Sequence, residues 1–392
     1  MAGEEKGELL VSPQGVERSG AGGSVASVRR SGAARSRRRS FLAGWSVLAL
    51  VALTGCGVAS GAPLSPPATA STPPATSPVA GDGIANGVPG LADGTPIRVV
   101  EDVNHDQITV PADPRRVVTL SEPTLDGALA LGVKPVGSVN GRGQTTMPNY
   151  LLDLADGIPA VGSVSQFNFE AIAALKPDLI LTYASGGNNP ESVAILRQIA
   201  PVYFVGYAGA AWTTTFRNVA NALNKGDQAE RVLDEFDSYA ADVKDRLQAA
   251  GYADKTFSIV RWQGSNASLI LKELPPGMAL EAVGLNRPPA QDREGRGHSE
   301  PISLENLADA DADYLFFGTL GGSSVDNPVA GGSADVSGAQ QAYQEAQGVP
   351  GFRDLAAYRQ GHVILVDGSL WTSTGGPILM RRIIEFLEQE LL

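Results

Sequence analysis

The chain has 392 residues, with 30 Lys and Arg, 42 Asp and Glu, 3 His, 1 Cys, 46 Gly and 26 Pro. That length accommodates two compact domains, and a composition 43% hydrophobic and 18% charged excludes a wholly disordered chain. One cysteine excludes a disulfide framework, a thiolate-rich zinc site and a Cys-ligated iron–sulfur cluster. The net charge of −12 is uneven: residues 1–55 hold 8 Lys/Arg against 4 Asp/Glu, leaving 22 against 38 from Cys56 onward. An acidic body of that kind argues against nucleic acid as a partner.

In chain order, Arg35, Arg37, Arg38 and Arg39 precede an uncharged, mostly apolar stretch at 41–53. As a helix that stretch rises only about 20 Å against a hydrocarbon core of roughly 30 Å, so it reads as a cleaved export signal rather than a membrane span. It ends in Leu53-Thr54-Gly55-Cys56, which resembles the bacterial lipobox and makes Cys56 the expected lipidated, mature N-terminus. The other reading of a lone cysteine is a buried thiol. Arg38-Arg39-Ser40-Phe41-Leu42 also resembles the twin-arginine signal, leaving the export route open between Sec and twin-arginine. Residues 1–28 make a long leader, consistent with a start codon further downstream. Residues 1–55 are therefore taken as signal and 56–95 as a tether of Ala, Pro, Ser, Thr and Gly, too poor in large apolar side chains to offset the entropy of ordering.

From residue 96 the pattern becomes regular. Strands at 97–100 and 107–110 flank the turn Asp102-Val103-Asn104-His105-Asp106. Strand and helix then alternate: strand 116–120, helix 123–131 ending at Gly132, strand 134–139, helix 169–175, strand 178–183, helix 191–199 and strand 202–207. Short links of this kind suit right-handed parallel crossovers. The segment 213–250 is helical for longer than one crossover needs, with Ala229, Val232, Leu233, Phe236, Ala240, Val243 and Leu247 on one face. Asp227 is its expected N-cap after the punctuation Asn224-Lys225-Gly226. Beyond it come strand 256–262, helix 303–308, strand 314–319, strand 362–367 and a closing helix 378–392, with 318–338 a Gly/Ser-rich surface loop. The expected architecture is α/β: two parallel-sheet sandwich lobes, 96–212 and 251–392, joined by a single long α-helix at 213–250.

Open parallel sheets bind ligands beyond the carboxyl ends of their strands, and two facing lobes make a cleft. Trp212, Trp262 and Trp371 each fall at or just after an expected strand, which suggests an aromatic-walled cleft; packing in the cores is the alternative for each ring. Arg261 adjoins Trp262, Arg142 follows strand 134–139, and Tyr183 ends strand 178–183. Guanidinium forks suit anionic oxygens, on a free anion or on an oxygen-rich metal complex, and a solvated surface charge is the alternative reading for either arginine. Arg293 and Arg296 lie in a polar loop. The chain has no Walker loop, no His-Glu-x-x-His and no dinucleotide fingerprint. His105, His298 and His362 are too scattered for a clustered metal site, so any metal is expected to arrive inside a chelator, with no resident cofactor.

Pro114-Arg115-Arg116-Val117-Val118, Leu129-Ala130-Leu131-Gly132-Val133-Lys134-Pro135-Val136-Gly137 and Leu175-Lys176-Pro177-Asp178-Leu179-Ile180 are followed by the long helix. In the second lobe Ile302-Ser303-Leu304-Glu305-Asn306-Leu307 precedes Asp313-Tyr314-Leu315-Phe316, and 363–366 precedes Trp371. Over about 97–392 the chain thus resembles the siderophore-type periplasmic binding proteins of ABC transporters, which carry ferric siderophores, haem or vitamin B12. The resemblance implies a class III architecture with limited hinge motion and one exposed carboxylate per lobe for the permease, at positions matching Glu170 and Glu305. Each also sits where a carboxylate favours a helix N-terminus. The resemblance further matches Arg261 to a strand-end arginine of ferric siderophore binders and Trp371 to a recurrent cleft aromatic. The long 318–338 loop, and His105 where a turn glycine is usual, depart from the pattern.

The expected function is that of a monomeric, non-enzymatic lipoprotein on the outer face of the bacterial cytoplasmic membrane, taking a ferric siderophore to an ABC permease. A haem or corrinoid ligand, an envelope-organising or signalling role on the same fold, and a hydrolase on that scaffold are the alternatives. Hydroxamate, catecholate, mycobactin-like and citrate chelators all suit arginines with aromatics.

Overall fold

The computed structural model describes residues 83–392 apart from 185–186, 296, 298 and 322–331. The signal at 1–55, Cys56, the tether as far as 82, Arg296, His298 and the middle of the 318–338 loop lie outside the described residues.

Three antiparallel strands open the described chain: β1 (Gly83–Ile84), β2 (Pro96–Glu101) and β3 (Gln107–Pro111). The expected hairpin is β2–β3. Its turn carries His105 at a φ of 65°, the left-handed conformation that makes glycine usual there. Gly83 and Ile84 pair with Ile97 and Pro96, so at least 83–95 of the stretch that composition assigns to the tether is structured.

The first lobe runs β4 (Val117–Thr119), α1 (Glu122–Ala130), β5 (Gly137–Asn140), α2 (Leu152–Ala155), β6 (Ala160–Ser163), β7 (Gln166–Phe167), α3 (Phe169–Ala174), β8 (Leu179–Thr182), α4 (Pro190–Ile199), β9 (Val202–Phe204) and α5 (Trp212–Ala222). Its sheet has the order β7-β6-β5-β4-β8-β9, parallel except for β7. Successive side chains on a strand face opposite ways. Val117, Leu179 and Leu181 therefore enter one core cluster while Val118 and Ile180 enter another.

The connecting segment is two helices. α5 packs on α1 and belongs to the first lobe; α6 (Gly226–Ala249) alone makes the connection, packing on α5 and also on α7 (Pro275–Ala282) and α11 (Pro377–Leu391) of the second lobe. Between α5 and α6 lies Asn224, whose φ of 57° no helix tolerates. Lys225 occupies the N-cap position in place of Asp227, which instead puts its carboxylate in the first turn, where the helix dipole favours it. The expected apolar face is the buried one, through Ala229, Leu233, Phe236, Ala240, Val243 and Leu247.

The second lobe holds β10 (Phe257–Gln263), β11 (Asn266–Leu269), α7, β12 (Glu300–Ile302), β13 (Tyr314–Gly318), α8 (Val336–Ala346), α9 (Ala356–Gln360), β14 (Val363–Leu365), α10 (Gly368–Trp371) and α11. Its sheet, in the order β12-β11-β10-β13-β14, is mixed rather than parallel: β10, β13 and β14 run together, but β11 and β12 are antiparallel. A two-residue hairpin turn with Gly264 at a φ of 57° reverses the chain after β10. The expected helix at 303–308 is a 3₁₀ turn, Leu304–Ala310, and α8 already begins inside the expected loop, capped by the Asp335 carboxylate.

The closing helix α11 packs on α1 and α6 as well as α7. Buried Asp126 on α1 accepts hydrogen bonds from the Ile378 and Leu379 amides, both at 3.0 Å, supplying acceptors to donors that a helix start leaves open. α11 thus ties the two lobes together rather than finishing one. No described helix is long and apolar enough to cross a membrane.

Candidate binding cleft

Helix α1 starts directly after β4, where Ser121 caps it: the Thr124 amide donates to the Ser121 hydroxyl at 3.3 Å, and the Ser121 amide to the Thr124 hydroxyl at 3.1 Å. This fixes the next residue, Glu122, whose carboxylate accepts the Arg142 amide at 2.9 Å and so shapes the loop after β5. Tyr183 follows β8. Asn188 donates to the Tyr183 carbonyl at 2.6 Å. From the other lobe comes Arg261, near the end of β10, donating to the Ser299 hydroxyl.

These side chains meet at the seam between the lobes. Burial, with the Arg142 charge adding to it, lowers Arg261 to about 10; two guanidinium groups, one per lobe, therefore lie within electrostatic reach of one another. Burial raises the Tyr183 phenol, which the Arg142 charge opposes. The Nε donors of Arg142 and Arg261 are both buried and have no hydrogen-bond partner among the described residues. Such donors are costly to leave unmade and suit a ligand that brings anionic oxygens.

A cavity of about 10 Å³, room for a single water, lies at the seam between Tyr183, Trp212, Glu273 and Thr374. The Glu273 carboxylate accepts the amides of Gly295 and Gly297 at 3.0 and 3.2 Å, while its Oε2 is buried without a partner among the described residues. Further bonds cross the seam: Asn149 donates to Asp367 at 2.9 Å, and Arg382 to Asp153 at 2.7 Å.

The three tryptophans do not share the seam. Trp212 starts α5, packs edge-on against Phe236 with ring centroids 5.1 Å apart, and borders the small cavity. Trp262 is 1% exposed in the outer core of the second lobe, against Phe317 and Phe352, with its indole N–H donated to the Gly264 carbonyl. Trp371 is fully buried in α10, stacked on Phe316 at 4.2 Å. The aromatic-walled cleft is thus corrected for Trp262 and Trp371, which are core rings. Strand alternation gives the reason for the first: Val260 and Trp262 point to one face of β10, so Arg261 between them points to the other.

Glu170 and Glu305 are both exposed, in the first turns of α3 and of the 3₁₀ turn at 304–310. Residue types alone left out Glu122, Glu273 and Tyr207, an exposed ring beyond β9 close enough for its phenol to influence that of Tyr183. Glu122 had a signal: it opens the helix at the carboxyl end of the first parallel strand, where ligand-facing loops begin. No group of three or more His, Cys, Asp or Glu that could hold a metal occurs among the described residues.

Two α/β lobes on a connecting helix, with one arginine from each lobe at the seam between them, define a two-lobed ligand-binding protein of class III architecture. The chain belongs to the periplasmic binding protein family, whose model matches residues 117–370. It is 31% identical over 287 residues to the probable siderophore-binding lipoprotein YfiY of Bacillus subtilis, covering 71% of this chain and 83% of that protein. It is 26% identical over 282 residues to the petrobactin-binding protein YclQ of the same organism, covering 71% and 83%. In fold it is similar to Staphylococcus aureus SirA, solved in complex with staphyloferrin B, with a TM-score of 0.61 at 24% identity over 75% of this chain and 98% of SirA.

Proposed function

We propose that this chain is an extracytoplasmic lipoprotein that binds a ferric siderophore between its lobes and delivers it to an ABC importer permease. The observation that carries this reading is the pair Arg142 and Arg261, one from each lobe, each with a buried Nε donor that has no acceptor among the described residues. Ligand oxygens bonded to both would bridge the lobes. Tyr183 and Trp212 border the same seam; Trp262 and Trp371 support it from within the cores. The relatives named above as siderophore-binding and petrobactin-binding support the ligand class. Binding requires no covalent chemistry and no resident cofactor; the iron is cargo. Exposed Glu170 and Glu305, one per lobe, are the docking carboxylates in this reading, and a lipid on Cys56 holds the monomeric protein at the outer face of the cytoplasmic membrane.

The test is titration of the purified chain with ferric hydroxamate, catecholate and citrate-type siderophores, haem and cobalamin, followed by tryptophan fluorescence. Trp212 is the reporter, because it borders the seam. Saturable quenching by a ferric siderophore, weakened in Arg142→Gln and Arg261→Gln, is the expected result. Absence of binding by every ferric siderophore would overturn the reading.

A further inference from the structure

The lobes touch at two places where both partners are glycine. In the loop shaped by Glu122, Gly143 has a φ of 71°, and a Cβ placed on it would lie 2.5 Å from the Gly321 amide nitrogen of the other lobe. In the loop shaped by Glu273, Gly297 has a φ of 67°, and its Cβ would lie 2.5 Å from the Gly209 nitrogen, in the loop beyond β9. The reciprocal Cβ on Gly209, at a φ of 85°, would lie 3.0 Å from the Gly297 Cα. At both places backbone meets backbone, so no flexible side chain can swing aside to make room. Ordinary carbon contacts need about 3.5–4.0 Å.

We propose that Gly143, Gly209 and Gly297 are positioning residues that let the lobes close, forming two backbone clasps, Gly143 on Gly321 and Gly209 on Gly297, that hold the ligand-free seam shut. The clasps are made by protein backbone alone and act on the lobes whether or not the cargo is a siderophore. Glu122 and Glu273 set the shape of the two loops, through the Arg142 amide and through the Gly295 and Gly297 amides, before any ligand arrives. The first clasp lies next to Arg142, so closing it also sets that guanidinium relative to Arg261. A methyl group at 143 or 297 would push its contact apart by about 1 Å and wedge the lobes open.

Alanine at these positions also carries left-handed strain of its own. Gly157 and Gly264 separate the two effects: their φ values are 73° and 57°, yet a Cβ on either meets nothing within 4 Å. The experiment places spin labels through Glu191→Cys and Gln344→Cys, exposed sites on the two lobes, in the ligand-free full chain carrying Cys56→Ser. Inter-lobe distances are read by double electron–electron resonance, with far-UV circular dichroism to show that each variant is folded. The clasp predicts one dominant short distance in the parent, a longer and broader distribution in Gly143→Ala and Gly297→Ala, and parent-like distances in Gly157→Ala and Gly264→Ala. Parent-like distances in both clasp variants would overturn it, as would an equal shift in the two controls. Should the clasp variants fail to fold, the parent decides: a single closed distance supports the clasp, and a predominantly open one refutes it.

Discussion

Arg261 carries its charge into the seam with a hydroxyl for a partner and a second guanidinium for a neighbour, and no ion pair to a carboxylate is formed among the described residues. Burying a charge without an opposite one is unfavourable, so the residue weakens the empty protein in order to serve the filled one. Arg261→Met should therefore raise the Tm of the ligand-free chain, measured by calorimetry, while weakening binding of the ferric siderophore by roughly 10- to 100-fold, the loss of a charge-assisted hydrogen bond. A fall in Tm alongside unchanged affinity would remove Arg261 from the site. Trp262 predicts the opposite pairing. Its ring fills a core with Phe317 and Phe352, so Trp262→Ala should cost about 3–5 kcal/mol in denaturant unfolding, with affinity altered only as far as folding is. The two neighbours were equally visible in the sequence as a strand-end pair. What separates them is alternation along β10, a rule that the sequence already carried; which face looks into the seam was set by the second sheet's packing. Glu122 and Glu273 were harder to see because they act on backbone amides of residues 20 and more positions away, a relation that neither periodicity nor residue type records.

At the level of elements, α6 was legible because its apolar face repeats through about five turns, and α1 because Gly132 terminates it. The elements that escaped are short: α2 and α10 have four residues each and β7 two, too few to show a period. The bridging role of α11 escaped for a different reason. Its sequence is an ordinary amphipathic helix, and only the fold brings Asp126 from 252 positions away to its first turn. Burial raises Asp126 from 3.8 to about 6 despite three backbone amides that favour the carboxylate. The groups facing it include Tyr150, whose phenol burial raises. A carboxyl that holds its proton more tightly folded than unfolded contributes stability in full below about pH 3.8, and that contribution is lost as pH rises through about 6. Asp126→Asn cannot titrate. The unfolding free energy of the parent minus that of Asp126→Asn should thus decline between pH 4 and pH 6, by at most about 3 kcal/mol, and level off above. Urea unfolding across that range checks the sign; a difference that rises with pH would mean that the three amides outweigh burial.

On the scale of the whole molecule, two charge patterns coexist: a body with 22 Lys/Arg against 38 Asp/Glu from Cys56 onward, and a seam where two arginines face inward. The acidic exterior repels an anionic ligand except at the seam and attracts a basic partner to the surface, so capture and docking use opposite signs of charge on different parts of the protein. Glu170 and Glu305 are exposed, one on each lobe, and neither takes part in the seam hydrogen bonds. If they dock the permease, the two functions are separable. Glu170→Lys with Glu305→Lys should leave the affinity for the ferric siderophore within a factor of about two, since solvent screens exposed charges and neither carboxylate takes part in the seam hydrogen bonds. The same double variant should lower the rate of iron-55 uptake by cells or permease vesicles by at least about 10-fold, because each reversed charge replaces attraction by repulsion at the partner's surface. A single reversal would dock through one lobe only and should fall between the two. Uptake at the parental rate by the double variant would show that the permease recognises the lobes elsewhere; a matching loss of ligand affinity would show instead that the two carboxylates act on the seam.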